Sequence, residues 1–228
     1  MKRLALDTSS LACTVALRIG DTLFERHEEQ AREHTRLLMP MIRAVLDEAG
    51  VALTDLDAIV LGNGPGSFIG MRIAASVSQG LAYGAGLKII PVSSLAAVAA
   101  EVMDKSGAAL VAVAQDAHLH EVYLGLYERG ADGLPRAICD ERLQDRGAVD
   151  ELSIGGRNAT QAAGQGWQRY PELYAANKKW LAGQSAVFYP RAEYLLRLSA
   201  RGAAIEASDI QPAYLRHTVA EKPAVQKP

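Results

Sequence analysis

The chain has 228 residues, 49% of them apolar, and 24 Lys plus Arg against 26 Asp plus Glu. That is enough chain for one large domain or two small lobes with real cores. A net charge of −2 without any Lys/Arg run argues against a protein that grips nucleic acid by itself. Cys13 and Cys139 lie far apart, with no disulfide framework and no C-x-x-C spacing, which favours a reducing, cytoplasmic setting. Only three apolar residues separate Lys2 and Arg3 from Asp7, too few for a signal peptide. No apolar stretch approaches membrane-spanning length, so no membrane partner is expected.

In chain order, three strands are predicted first, at Arg3–Asp7, Cys13–Ile19 and Thr22–His27. Gly20-Asp21 is a tight-turn signal, so the three form an antiparallel meander. A helix follows at about Glu33–Ala49, stopped by Gly50 as a C-cap. Next come a strand at Ala58–Leu61, a glycine-rich loop, a helix at Met71–Tyr83, a strand at Lys88–Ile90 and a helix at Ser94–Met103. Ser93 or Ser94 can cap the last of these. The pattern then restarts, with strands at Leu110–Gln115, Glu121–Glu128 and Arg136–Glu141. Weaker signals give a strand at Leu152–Ile154, a helix near Thr160–Arg169, a strand at Ala186–Phe188 and a helix at Arg191–Ala200 before Gly202. Both halves place an aspartate, Asp7 or Asp116, at the end of an apolar strand. Each resumes an apolar strand about six residues later.

A βββαβα unit repeated twice implies an α/β protein of two similar lobes with a cleft between them. The expected division is a first lobe at 1–103 and a smaller second lobe at 104–218, whose C-terminal helix is available to pack back on the first. Residues 219–228 read as a frayed tail.

The loop Gly62-Asn63-Gly64-Pro65-Gly66-Ser67-Phe68-Ile69-Gly70-Met71-Arg72 joins a strand to a helix start. Glycines there permit positive φ and close backbone approach, and a helix N-terminus offers free N–H groups to an anion. The loop lacks the Lys-Ser/Thr ending of a P-loop and the G-x-G-x-x-G spacing. Pro65 and Ile69 replace the glycines of a nucleophile elbow around Ser67. Two readings stand: an anion cradle, or a structural turn at an interface.

Several longer runs resemble the TsaB (YeaZ) family, of the fold shared by actin, sugar kinases and Hsp70-type ATPases. They are Leu4 to Ser10, His34 to Ile42, Gly64 to Ile73, Asp116 with Glu121-Val122-Tyr123, and Gln211-Pro212-Ala213-Tyr214-Leu215-Arg216. Ile69 and Met71 stand where that family usually has threonine and leucine. The resemblance implies a non-catalytic chain that activates a TsaD-like enzyme by forming a heterodimer. That enzyme works with a TsaE-like ATPase to transfer a threonylcarbamoyl group to the adenosine beside the anticodon of tRNA. On this reading the chain has no catalytic residue, needs no metal or cofactor of its own, meets ATP only within the complex and meets tRNA indirectly. Whether it also forms homodimers alone stays open.

Candidate residues divide accordingly. Asp7 and Thr8, with Gly64, Gly66 and Ser67, are the candidates for phosphate or nucleotide, since an aspartate ending the first strand can hold a metal through water. They lack the glycine that would follow the aspartate in a phosphate turn. His34 has Leu38 four residues on, where TsaD-like enzymes have a second metal-binding histidine, and one imidazole makes a poor metal site. His118 and His120 have no further ligand at usual spacing.

For partner binding the candidates lie on two helices. On the first, His34, Leu37, Leu38, Met41, Ile42 and Val45 belong to an apolar arc too wide for a one-sided helix. On the second, Arg72 precedes an uncharged stretch, 73 to 87, containing Ile73, Ser76, Val77, Gly80 and Tyr83, whose small residues permit close helix approach. Two rivals to the partner reading are an independent ATP-dependent phosphotransferase using Asp7 and a peptidase using Ser67.

Overall fold

The structure is a computed structural model describing residues 1–30, 32–150, 155–156 and 159–216. The expected strand at Leu152–Ile154 and the tail at 219–228 lie outside the described residues.

The first half folds as β1 (Lys2–Asp7), β2 (Cys13–Ile19), β3 (Thr22–Glu28), α1 (His34–Ala49), β4 (Ala58–Gly62), α2 (Phe68–Ala85), β5 (Lys88–Val92) and α3 (Ser94–Ser106). The sheet order is β3-β2-β1-β4-β5, with β1–β4 and β4–β5 parallel and the meander antiparallel. Gly50, Gly86 and Gly107 close the three helices in left-handed conformation, where glycine avoids the Cβ penalty.

The second half repeats the plan with β6 (Leu110–Asp116), β7 (Glu121–Arg129), β8 (Pro135–Ala137), β9 (Arg142–Asp145), β10 (Thr160–Ala163), α4 (Gln165–Arg169), α5 (Pro171–Asn177), β11 (Leu181–Gln184) and α6 (Ala192–Leu198). Its order is β11-β10-β6-β7-β8, with β9 also paired to β7 and with the same parallel and antiparallel senses. This is the two-lobed α/β architecture expected from the repeat.

Three sequence expectations need correction here. Thr160–Ala163 is a strand, not the start of a helix: its small residues are buried beside β6, and Gly164, at φ 90°, turns the chain into α4. The strand expected at Ala186–Phe188 is irregular; the edge strand lies earlier, at Leu181–Gln184, where side chains alternate between half-buried and exposed. Of the run Arg136–Glu141 only Arg136–Ala137 is strand, as the end of β8, and β9 begins after it at Arg142. Between them Glu141 turns inward, and its carboxylate accepts hydrogen bonds from the Ser93 and Tyr127 hydroxyls.

Packing follows five layers. α1 and α2 cover one face of the first sheet through Leu4, Leu6, Val15, Leu17, Ile59 and Leu61. The opposite face, with Ala5, Ala16, Val60 and Ile90, receives α6 and part of α3. The other side of α3, with Leu95, Val98 and Val102, packs on Val111, Val113 and Tyr127 of the second sheet. α4 and α5 close the far side around Trp167 and Trp180. Each lobe therefore lends a helix to the layer between the sheets, where apolar burial favours the assembled pair.

Candidate functional site: a locked glycine loop beside the cleft and an uncovered helix face

Asp7 ends β1 with no exposed surface. Its Oδ1 accepts the Ser9 N–H at 2.6 Å, and its Oδ2 accepts the Ser94 hydroxyl. Ser94 in turn accepts the Gly64 N–H at 3.0 Å, and its own N–H donates to the Gly64 carbonyl at 2.8 Å. Ser93, not Ser94, caps α3, accepting the Ala96 N–H at 3.0 Å. Asp7 thus holds the loop through a serine 87 residues away.

Three of the loop glycines, Gly62, Gly66 and Gly70, face the same turn. A Cβ on Gly62 would overlap the Asp7 carboxylate. One on Gly66 would lie 2.9 Å from the Ser9 carbonyl carbon, and one on Gly70 3.0 Å from that of Thr8, each overlapping the attached oxygen. The Thr8 hydroxyl donates to the Gly70 carbonyl at 2.7 Å, and the Ser67 N–H to the Ser9 carbonyl at 2.6 Å. Ser67 caps α2, accepting the Gly70 N–H at 3.2 Å. The space that an anion cradle would offer is filled by the β1–β2 turn. Of the five phosphate candidates, Asp7, Thr8, Gly64 and Gly66 are buried in this lock and Ser67 is its helix cap.

Burial holds the Asp7 carboxyl above its ordinary value of 3.8, against the lowering effect of its Ser94 and Ser9 hydrogen bonds. An acid raised in the folded state stabilises that state most below its unfolded value, and the contribution is lost as pH rises through the folded value. The stability of the parent chain relative to Asp7→Asn should therefore fall as pH rises above 3.8. Urea unfolding at a series of pH values checks this. An opposite slope would mean that the Ser94 and Ser9 hydrogen bonds outweigh burial and keep the carboxylate ionised.

His34 opens α1, only 8% exposed, with its ring bonded to the Ser10 backbone; burial lowers its pKa. The Cys13 thiol nearby is pushed up to about 12, chiefly by burial, and is therefore inert. Among the described residues no group of three His, Cys, Asp or Glu side chains is placed to hold a metal. No helix among them is long and apolar enough to cross a membrane.

A cleft of about 840 Å³ opens between the lobes, lined by Ser9, Ser10, His34 and Ile69 on one side and Gln115, Asp116 and His118 on the other. Asp116 repeats the Asp7 turn, accepting the His118 N–H at 2.9 Å, and also binds the Tyr170 hydroxyl at 2.8 Å.

The partner-binding candidates separate sharply. Leu38, Met41, Ile42 and Val45 lie in the first-lobe core, and Leu37 is half-buried against it. The wide arc of α1 is filled by its own sheet and by α2, so these residues are buried within this chain. The outward face of α2 is different. Arg72, Ser76, Gly80 and Tyr83 are exposed, and Ile73 and Val77 half-exposed. Ile69 and Tyr83 show 71% and 88% of their surface. Ile69 and Gly84 complete this stripe and were absent from the candidates; their helical spacing from Ile73 and Gly80 was the available signal.

The chain matches the family model described as "TsaD: tRNA N6-adenosine threonylcarbamoyltransferase" over residues 26–225. It is 36% identical to the Escherichia coli tRNA threonylcarbamoyladenosine biosynthesis protein TsaB, covering 97% of both chains. The chain belongs to the TsaB family. The Haemophilus influenzae TsaB is also 36% identical, over 96% of this chain and 95% of its own. Among solved structures, YeaZ from Pseudomonas aeruginosa superposes with a TM-score of 0.84 at 38% identity, covering 94% of this chain and 99% of that one. Another solved structure, described as a protein with similarity to peptidase YeaZ from Pseudomonas aeruginosa, gives 0.86 at 39% identity, with the same coverage.

Proposed function

We propose that this chain works in threonylcarbamoyladenosine formation on tRNA as the non-catalytic partner of a TsaD-like enzyme, docking it through the outward face of α2. The family supplies the pathway: its members carry the name of tRNA threonylcarbamoyladenosine biosynthesis proteins. The observation that carries the docking role is that uncovered face, apolar and free of charge from Ile73 onward, with small residues at Ser76, Gly80 and Gly84. Exposed apolar surface in one continuous patch marks an interaction site.

The heterodimer would meet a TsaE-like ATPase and tRNA as a composite surface, in the cytoplasm. ATP enters through the complex, not through a site that this chain completes. The phosphotransferase reading is weakened because both Asp7 oxygens are engaged by protein donors. The peptidase reading is weakened because Ser67 is occupied as a helix cap.

The test is reconstitution. TsaD-like enzyme, TsaE-like ATPase, activated threonylcarbamoyl donor, ATP and tRNA are combined with and without this chain. Modified adenosine should form only when this chain and the TsaD-like enzyme are both present. Product without this chain would end the partner reading, and product without the TsaD-like enzyme would place catalysis here.

A further inference from the structure

The run Gln211–Arg216 is irregular, yet it touches both lobes at defined points. The Asn63 side-chain amide donates to the Gln211 carbonyl at 3.0 Å, and the Ala213 N–H to the Asn63 carbonyl at 3.2 Å. The Tyr214 ring lies 5.3 Å from that of Phe68, and its hydroxyl accepts the Arg72 Nε–H at 2.9 Å. The Arg72 guanidinium carbon sits 3.7 Å above the Phe68 ring centroid, a cation–π contact that fixes the cluster on α2. Leu215 packs on the apolar cluster between the lobes. The Arg216 guanidinium then donates to the Ala117 carbonyl at 3.0 Å, to the His118 carbonyl at 3.4 Å and to the Glu121 carboxylate.

Arg216 reaches an unusual turn. His118, Leu119 and His120 have φ of 59°, 51° and 64°. Three successive non-glycine residues in the left-handed region are costly, on the order of 1 kcal/mol each, and persist only where neighbours over-determine them. Arg216 is one such neighbour, beside the Asp116 carboxylate that accepts the His118 N–H. It binds two carbonyls and a carboxylate at the base of the turn, with its side chain only 15% exposed. The same turn carries Asp116 and His118 on one wall of the interlobe cleft.

We propose that Gln211–Arg216 is a tie-bar through which the position of Arg72 on α2 sets the order of the β6–β7 turn and so the shape of the cleft wall. The contacts that carry the coupling all lie within this chain, so it holds whether or not α2 docks an enzyme. Local order of this kind is a free-energy link between the α2 face and the cleft, and it acts in both directions.

Hydrogen exchange on the isolated full chain tests this. The reporters are the amides of Ala117, His118 and Glu121, bonded respectively to the Glu121 carbonyl, the Asp116 carboxylate and the His118 carbonyl. Arg216→Ala should speed their exchange about tenfold or more, for loss of hydrogen bonds to a charged donor. Arg72→Ala removes a side chain that bonds Tyr214 and none of the reporter residues, yet should speed the same amides at least threefold, on the order of 0.7 kcal/mol of coupling. Amides of Ile59 to Leu61 in β4 should not change in either variant. Arg36→Ala, on the exposed side of α1, should change none of them. If Arg216→Ala loosens the whole chain, seen as faster exchange in β4, Arg72→Ala decides alone. Parent-like exchange at Ala117, His118 and Glu121 in Arg72→Ala overturns the tie-bar.

Discussion

Gly80→Arg should make the isolated chain more stable while weakening its docking at least a hundredfold. The two effects have separate causes. Gly80 lies inside α2, where its missing side chain costs backbone entropy, and a Cβ built there meets nothing within 4 Å. Arginine is a good helix former, so the exchange should gain about 1 kcal/mol, or roughly 2–4 °C in Tm for a chain of this size. Docking should respond oppositely. Ser76, Gly80 and Gly84 recur at intervals of one turn along the uncovered stripe, leaving a shallow lane between Ile73 and Val77 at one end and Tyr83 at the other. Side-chain size at the contact sets how closely two helix axes approach. An arginine in that lane holds the axes apart and removes the partner from the flanking apolar residues. A central interface residue is worth about 2–4 kcal/mol, and a hundredfold loss corresponds to about 2.7 kcal/mol. Calorimetric titration against the TsaD-like enzyme and a thermal scan of the chain alone give both numbers. A raised Tm with unchanged affinity would move the docking face away from α2.

What the sequence made legible depended on how local the cause was. The meander, the helix ends at Gly50 and the β4–loop–α2 unit each rest on nearby residues, so period and glycine position sufficed. The rest has non-local causes. The arc of α1 is wide because both the sheet below and α2 beside it pack against it, and no sequence window contains that geometry. Thr160–Ala163 read as helix because alanine favours helix locally; pairing with β6 overrides that preference. β11 carried no alternation of large apolar residues because it is an edge strand. The Asp7–Ser94 bond joins residues from two different elements, and the Phe68–Arg72–Tyr214 cluster joins α2 to a run far along the chain. The glycines of the loop were visible from the start. Their purpose was not, because anion binding and backbone packing both call for glycine.

Gly70→Ala separates those two purposes and should destabilise the chain by about 3 kcal/mol. Gly70 has no positive φ and sits in the first turn of α2, so alanine is conformationally acceptable there and would by itself gain up to about 1 kcal/mol. Against this stands the collision of the new methyl group with the Thr8 carbonyl, which is backbone and cannot rotate aside. Relief requires parting α2 from the β1–β2 turn, and that parting strains the buried Thr8-to-Gly70 and Ser67-to-Ser9 bonds. Overpacking of this kind costs about 1–3 kcal/mol, and weakened buried hydrogen bonds add about 1–3 more. The net is a large fraction of a typical domain's stability. Gly84→Ala, where a Cβ meets nothing within 4 Å, supplies the control and should be neutral or stabilising. Urea unfolding of both variants decides between the readings. A Gly70→Ala chain as stable as the parent would mean that the turn and the loop are not locked together, and the loop would again be open to an anion. The expected loss instead places the glycines in the service of Asp7, Thr8 and Ser9, so that the residues which would face a nucleotide in a kinase of this fold here hold α2 at the angle that presents its outer face.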